Sequence, residues 1–521
     1  MKFVSDPKTA VKIEKMKSRL RSQHPLLLSK GIDRTRFELD DGKSGDREFS
    51  FLVIGDSGSG RHIKNNPQRQ IAEQMVQHQD NCRFIMHTGD VIYLVGSSEY
   101  YPQNFIEPYR EFIVGGEHPD RIAYNKMVFK LPILPVPGNH DYYDLPLLYG
   151  AIAQAAQPLR HLLRGHFNLD VGWHGSDQGK AYARAFLDYL KDIPDFKLEA
   201  HFDRHYTAQT DTGRCLRYQP GEFTRLPNRY YTFRYGGIDF FALDSNTFNE
   251  PPPLPDTKEG RQYRQLLEKR RDELETQEVE LTARSQQLNP DNPHHAEQLD
   301  ELETKLEQIE EMQLDIEKQL ESDENTVTDI EQLNWFKQRL IQSWNTEEVR
   351  GRIVYFHHPP YVTEATKWDQ GQTLAIRRQL RWVLDQVAQE VGDKTQGRPL
   401  LDLVLSGHAH CLEYLQTGDT GHADSHINWI ICGGSGYSLR RQREEGSDLM
   451  EMFPETQEER LVARSKLFLG RKGRGSDKQR PYSFLRVDVM EGSPPKIRLQ
   501  PMISERTHHQ WHDREGEAFI I

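Results

Sequence analysis

Six short apolar runs punctuate this chain, and each breaks off into polar residues of an unusual kind. Phe49–Ile54 runs into Gly-Asp-Ser-Gly, Phe84–His87 into Gly-Asp-Val-Ile-Tyr, and Ile133–Val136 into Gly-Asn-His-Asp. Arg352–Phe356 runs into His-His-Pro-Pro, Leu403–Leu405 into Gly-His-Ala-His, and Trp429–Cys432 into Gly-Gly-Ser-Gly. Such runs predict buried strands. Asn66-Pro67 predicts an N-cap and first-turn proline for a helix carrying Ile71, Met75 and His78 on one face. Further helices are predicted at Gln332–Ser343, with Leu333, Phe336, Leu340 and Ile341 on one side, and over Thr373–Glu390. Tyr230–Phe233 and Ile238–Leu243, joined across Gly236-Gly237, predict an antiparallel hairpin in a mixed sheet. Tyr482–Val489 and Lys496–Leu499 predict another. Strand, polar turn, helix, strand is an α/β pattern, and such folds carry their functional loops past the carboxyl ends of strands.

Two stretches interrupt the pattern. Residues 145–227 hold helical pieces (Leu147–Leu163, Ala181–Leu190) and aromatic-rich loops directly after Gly-Asn-His-Asp, and they are expected to form a cap or pocket wall. After Pro-Pro-Pro-Leu-Pro-Asp, residues 258–322 are nearly all Glu, Gln, Leu, Lys and Arg. Leu267, Leu274, Leu281 and Leu288 recur at every seventh position. Beyond Asn-Pro-Asp-Asn-Pro, Leu299, Leu302, Leu306, Ile309, Ile316 and Leu320 form a second stripe, with Gln313 polar within it. Two helices split by a proline-containing turn predict an antiparallel coiled-coil hairpin. Each arm would extend ~40–45 Å. A solvated single helix is the competing reading, but it leaves the second stripe in water. The expected organisation is an N-terminal segment 1–47, core 48–144, insertion 145–227, core hairpin 228–255, coiled coil 256–325 and core 326–521.

Composition adds to this picture. The 521 residues are only 36% hydrophobic, and the polar hairpin accounts for much of that. Lys and Arg number 67 against 79 Asp and Glu, a net charge of -12, so nucleic acid is not an expected partner. The first residues show no apolar stretch behind their lysines and no run is long enough to cross a bilayer, so neither a secretory signal nor a membrane span is expected. Cys82, Cys215, Cys411 and Cys432 are scattered, without a Cys-x-x-Cys pair. Four ordinary buried thiols in a reducing, cytoplasmic setting are expected.

The strand-end residues carry the chemistry. Asp56, Asp90, Tyr93, Asn139, His140, Asp141, His357, His358, His408 and His410 all follow predicted strands. Carboxylates, an amide oxygen, imidazoles and a phenol suit iron, zinc or manganese and require no thiolate. A carboxylate can bridge two cations ~3.5–4 Å apart, a spacing that clamps both oxygens of a phosphoryl displacement. Each motif alone is an ordinary turn; five of them ending buried strands in one chain are not.

In their order, Gly-Asp-Ser-Gly, Gly-Asp-Val-Ile-Tyr, Gly-Asn-His-Asp, His-His-Pro-Pro and Gly-His-Ala-His resemble the motif set of the calcineurin-like metallophosphoesterase superfamily. The tyrosine of the second motif is similar to its purple acid phosphatase-like branch, as are Tyr-Tyr-Thr-Phe-Arg-Tyr-Gly-Gly-Ile-Asp and Leu-Asp-Leu-Val-Leu-Ser. The resemblance covers about residues 48–440 apart from the insertions. It implies an α/β (α+β four-layer) fold, two packed mixed β-sheets flanked by helices, into which the coiled-coil hairpin is inserted. It also implies two metal ions: Asp56, Tyr93 and His410 on the first, Asp90 bridging, and Asn139, His357 and His408 on the second. A phenolate ligand implies Fe(III) at the first site, with Fe(II), Zn(II) or Mn(II) as its companion. The alternative for Tyr93 is an aromatic ring packed beside a different metal pair.

The implied reaction is hydrolysis of phosphate monoesters by in-line attack of a metal-bound hydroxide. His140 is expected to protonate the leaving oxygen or hold the phosphate, Asp141 to orient its ring, and His358 to face the substrate. Arg440, with Arg441 and Arg443, would draw an anionic substrate or form a solvated basic loop. Gly433–Gly436 would approach the phosphate or simply turn. His166, His174, His201 and His205 are weaker pocket candidates, and the basic run 471–474 is too short to read as a nucleic-acid patch. The expected substrate is a phosphorylated small molecule or protein. A phosphodiesterase is the alternative activity; an assembly protein on a phosphatase-like fold is the alternative role. Residues 258–322 are the candidate surface for self-association or a protein partner.

Overall fold

Most of the predicted strands meet in the interior, where their aromatic side chains interlock. The computed structural model describes residues 4–58, 66–145, 175–289, 293–453, 458–473, 478–507 and 510–521. The expected helix 147–163, with His166 and His174, lies outside them.

Among the described residues, one mixed sheet holds seven strands. Its centre is parallel: β2 (Phe49–Ile54), β3 (Cys82–His87) and β4 (Ile133–Pro135). On the other flank β2 pairs antiparallel with β15 (Arg480–Gly492), followed by β16 (Pro495–Thr507) and β17 (Gln510–Glu515). The second sheet has eleven strands. At its centre β8 (Ile238–Ala242), β9 (Gly351–Tyr355), β10 (Leu403–Ser406) and β12 (Asn428–Cys432) run parallel. The hairpin expected across Gly236-Gly237 forms as β7 (Tyr231–Tyr235) against β8.

The sheets pack face to face. Phe84 of β3 meets Phe233 of β7 at 5.4 Å between ring centres, and Phe51 of β2 meets Phe240 of β8 at 5.7 Å. Helix α2 (Pro67–Gln77), capped by Asn66 accepting from the Arg69 amide at 3.1 Å, packs beside β15 and β16. Helices α5 (Ile330–Trp344) and α6 (Gly371–Val391) bury Leu333, Phe336, Leu340, Ile376 and Val383 in the apolar layer of the larger sheet. The result is two mixed sheets flanked by helices.

Some strands escape the sequence reading. Residues 1–47 supply not only helix α1 (Thr9–Leu20) but also β1 (Ile32–Leu39), which pairs in parallel with β7 and with β6 (Gly213–Tyr218) from the insertion. Both carry charged residues throughout, which hides their apolar contacts. At the far edge, β13 (Asp448–Phe453) and β14 (Glu458–Leu469) extend the sheet, with Met450 and Met452 partly exposed.

Residues 258–322 form two long helices, α3 (Lys258–Ser285) and α4 (Pro293–Glu321). Leu274, Ile309 and Ile316 bury one another, with Leu267, Leu281, Met312 and Leu320 around them. Arg264 donates to the Leu320 carbonyl at 3.2 Å and Gln313 to Glu278 at 3.1 Å, so the two helices run in opposite directions. The pair does not stand clear of the core. Asp315 accepts from the Gly371 and Gln372 amides at 2.9 and 3.0 Å, Lys318 pairs with Asp6 at 2.9 Å, and Glu301 pairs with Lys478 at 2.9 Å. Helix α4 is thereby laid along the mouth formed by the strand-end turns. No helix among the described residues is long and apolar enough to cross a membrane.

Candidate metal centre

The turns after β2, β3 and β4 face the turns after β9 and β10 across the gap between the sheets. Three residues of these turns hold left-handed backbone: Asp56 at φ 50°, Asp90 at 53° and His408 at 65°. Such conformations cost on the order of 1–3 kcal/mol each for residues other than glycine and cluster where a side chain must be aimed. Close approach also dictates Gly138, since a Cβ there would lie 2.1 Å from Asp90 Oδ1.

The donor atoms converge. Tyr93 Oη lies 2.9 Å from Asp56 Oδ1, 2.8 Å from Asp90 Oδ2 and 3.1 Å from His410 Nε2. On the other side of Asp90, His357 Nε2 lies 3.2 Å from Asp90 Oδ2 and 2.9 Å from Asn139 Oδ1. Backbone carbonyls fix the ring orientations: His357 Nδ1 is 2.9 Å from Thr88 O and His410 Nδ1 is 2.9 Å from Ser438 O. A carbonyl only accepts, so each Nδ1 carries the proton and each Nε2 is left as a donor atom for a metal. His408 has Nε2 facing Lys367 Nζ at 3.0 Å and Gln372 Nε2 at 3.2 Å, both hydrogen-bond donors, which leaves Nδ1 available to a metal. The His408 amide donates to Asp56 Oδ2 at 2.9 Å and the His140 amide to Asp90 Oδ1 at 2.8 Å.

The electrostatics favour added positive charge between these groups. Burial drives Asp56 well above the ordinary carboxylate range. Burial opposes charge on Asp90 too, but His357 and His140 outweigh it and hold Asp90 low. Burial lowers His357, yet Asp90 and Asp56 lift it to about 9. Tyr93 is pushed well above 10 by burial and then by Asp56 and Asp90. Two buried carboxylates and a phenol this close cannot all ionise without positive charge between them. Donor atoms of Asp56, Asp90 and His357 lie within 4.8 Å of one another, as do those of His357, His358 and His408. Hard and borderline donors in two sets that share His357 could hold metal ions.

Other expected residues settle differently. His140 is nearly buried, with Nδ1 2.5 Å from Leu94 O and Nε2 4.0 Å from Asp90 Oδ2. Asp141 does not orient that ring. Its carboxylate accepts from the Gly138 amide at 2.9 Å and the Val91 amide at 3.3 Å, which ties two site turns together, and burial beside Asp90 raises it to about 8. His358 has Nδ1 2.8 Å from Ser245 Oγ and Nε2 3.3 Å from Asn249 Nδ2, with its ring 4.5 Å from that of His408. Gly433–Gly436 fastens rather than binds: Ser435 Oγ accepts from the Gly55 amide at 3.2 Å and donates to Ser483 O at 2.9 Å. His201 bonds Asp188 at 3.0 Å and His205 stacks on Phe223, so both are spent inside the insertion. The four cysteines are free and buried.

Arg440 is no part of a solvated loop. It is 2% exposed, and its Nη2 lies 3.1 Å from Glu311 and 3.3 Å from Glu307 of α4. Lys367, 1% exposed, reaches Glu311 at 2.6 Å. Burial opposes charge on Glu311, but Lys367 and Arg440 hold it far below its usual range. Tyr437 stacks on Tyr93 at 3.8 Å and donates to Glu307 at 2.7 Å. Lys367, Gln372, Glu311 and Tyr437 carry no motif; only the position of Lys367 on the loop after His-His-Pro-Pro is a hint.

No protein-family model and no curated protein matches the chain. Among solved structures it is similar to the purple acid phosphatase PPD1 from seeds of yellow lupin (Lupinus luteus), at 12% identity and a TM-score of 0.39 over 92% of this chain and 54% of that one. It is also similar to GAP50, the anchor in the inner membrane complex of Plasmodium, at 11% identity and a TM-score of 0.36 over 89% and 88%. A third likeness is to PhoD, at 11% identity and a TM-score of 0.36 over 91% and 69%. The chain spans about half the length of the lupin phosphatase.

Proposed function

We propose that this chain is a metal-dependent phosphoesterase that hydrolyses phosphate monoesters at a dinuclear centre. Asp56, Tyr93 and His410 would hold the first ion, Asp90 both, and Asn139, His357 and His408 the second. The observation that carries the reading is the gathering of these seven buried side chains from five separate strand ends, with Tyr93 and His357 on Asp90 itself. A cation pair held there neutralises phosphate oxygens and lowers the pKa of bound water towards ~7. The Tyr93 phenol, driven towards its neutral form by burial, becomes a ligand only to a strongly acidifying ion, which favours Fe(III) beside it and Fe(II), Zn(II) or Mn(II) in the second set.

The chain's own residues do the rest. His140 keeps Nδ1 on Leu94 O and turns Nε2 to the centre, so it holds a phosphate oxygen or hands a proton to the leaving oxygen only after Nε2 has taken up a proton, against the burial that lowers its pKa. Asp141 keeps the turns around His140 and Asp90 in register. Burial of the whole donor set excludes bulk water and strengthens every charge interaction within it. A second copy or a protein partner would meet the hairpin on α3, where Leu266 and Val279 are exposed. Four free buried thiols support a cytoplasmic setting.

The test joins metal content to turnover. Asp90→Ala and His408→Ala should each lose bound metal by elemental analysis and lose hydrolysis of an aryl phosphate. Full turnover in either variant refutes the dinuclear assignment. Tyr93→Phe should remove any visible charge-transfer band; a band that survives refutes the ferric tyrosinate.

A further inference from the structure

Helix α4 turns an acidic face to a site meant for an anion. Thr304, Glu307, Glu311 and Asp315 line that face. Glu311 reaches deepest, with one carboxylate oxygen 2.6 Å from Lys367 Nζ and the other 3.1 Å from Arg440 Nη2. Lys367 Nζ is at the same time 3.0 Å from His408 Nε2, so the carboxylate lies one side chain away from the proposed ligands. A carboxylate gripped by a buried lysine and a buried arginine is how a phosphate is gripped.

Among the described residues, the cavities that Glu311 itself lines are too small for a substrate. Two cavities adjoin it, one lined by His140, Tyr143 and Tyr437 and the other by Asp6, Gln372 and His408, and each measures about 20 Å³. That is room for roughly one water. Among the described residues, α4 covers the approach to His140 and His408 from the Glu311 side.

We infer that Lys367 and Arg440 form the seat for the substrate's phosphate, and that Glu311 occupies this seat as an intramolecular stand-in until α4 moves away. The inference rests on the phosphoesterase reading and deepens it. Two fixed cations in addition to two metal ions suit the dianion of a terminal phosphate better than the single charge of a diester. Entry then requires exchange of one anion for another on the same pair of cations. The apparent affinity for phosphate is the affinity of the open seat reduced by the fraction of molecules that are open.

The experiment uses the full chain and inorganic phosphate as the probe, with binding measured by calorimetry and metal content measured alongside. Glu311→Gln should bind phosphate ~10-fold more tightly than the unaltered chain, because the competing charge is gone and the open fraction rises. Lys367→Met placed in the Glu311→Gln background should abolish that gain. Backbone amides of residues 304–316 should exchange faster in Glu311→Gln and on phosphate addition.

A second variant guards against misfolding. Thr304 Oγ1 and Ser438 Oγ are 3.0 Å apart, so Thr304→Cys with Ser438→Cys can be joined by a disulfide that pins α4 shut. The oxidised form should bind phosphate at least ~10-fold more weakly and turn over more slowly, and dithiothreitol should restore both. Unchanged phosphate affinity in Glu311→Gln, or equal binding by the oxidised and reduced cross-linked forms, overturns the inference. If bound metal and hydrolysis persist through such a result, the phosphoesterase reading stands and the seat falls. If Glu311→Gln and Lys367→Met move phosphate binding as stated but no variant hydrolyses an ester, the seat stands and the phosphoesterase reading falls.

Discussion

Arg229, almost wholly buried, ties together the scaffold behind the centre. Its Nη1 donates to Asp244 at 2.8 Å and to Thr247 Oγ1 at 3.0 Å, and its Nη2 pairs with Asp329. Asp244 also accepts from Tyr142 Oη at 2.8 Å, and Asn246 donates to the Pro137 carbonyl at 2.8 Å. The guanidinium therefore links the Gly-Asn-His-Asp turn, the segment after β8 and the start of α5. Arg229→Met keeps most of the volume but leaves two buried carboxylates facing each other. Removing one partner of a buried ion pair costs about 3–5 kcal/mol. With unfolding entropy of ~2.1 cal/mol/K per residue over this length, Tm should fall by ~3–5 °C. One of the stranded carboxyls must take a proton to remain buried, so its folded pKa rises above its unfolded value. The stability deficit is then small at pH 5 and grows towards pH 8. Differential scanning fluorimetry at both pH values measures it, and Arg229→Met with Asp329→Asn should recover part of the loss. A Tm within 1 °C of the unaltered chain at pH 8, or a deficit independent of pH, refutes this account.

Three further outcomes follow from separate parts of the molecule. Burial lifts Glu413 to about 7, although the Thr363 amide donates to it at 3.1 Å; its raised pKa contributes stability that is complete below 4.5 and lost as pH rises through 7. Glu413→Gln escapes that loss, worth ~3 kcal/mol, so its advantage in urea midpoint should grow from pH 5 to pH 8, and a constant difference refutes it. Gly138→Ala brings a methyl within 2.1 Å of Asp90 Oδ1 and should at least halve bound metal by elemental analysis while the fold survives; full occupancy would show that Asp90 can shift freely. Stripping both ions with a chelator should lower Tm by ~5 °C where each was held at a concentration 100-fold above its Kd, and readdition should restore it. An unaltered Tm on stripping counts against a cation between Asp56 and Asp90.

Much of the core was legible because each signal was local. Phe49–Ile54 is strand over its whole expected length, and Asn66-Pro67 starts its helix where capping chemistry requires. The candidate turns were legible because donor atoms suited to a metal stand together at strand ends in Asn-His-Asp and His-Ala-His, and the structure brings those turns side by side. Asp141 shows the limit of that logic: its motif neighbour is His140, yet its carboxylate is spent on two backbone amides. β1 and β6 were illegible because their polar residues alternate without a clean apolar face. The resting place of α4 was illegible for another reason. Heptad leucines specify how two helices hold each other, but Glu307 and Glu311 look like any solvated glutamate until Lys367 and Arg440 are brought beside them from other parts of the chain.

How α4 is held has a thermal consequence. The stripe of Leu274, Ile309 and Ile316 is buried against its sister helix, while the face towards the core is joined mainly by charges, with Leu314 against Val4, Val95 and Tyr143 as its apolar share. If the two helices part from the core together, the leucines stay dry and mostly ionic groups meet water. Heat capacity on exposure tracks apolar area and falls with polar area. Detachment of the pair should therefore carry a small heat-capacity change, respond to ionic strength more than to temperature, and present little sticky surface while it lasts.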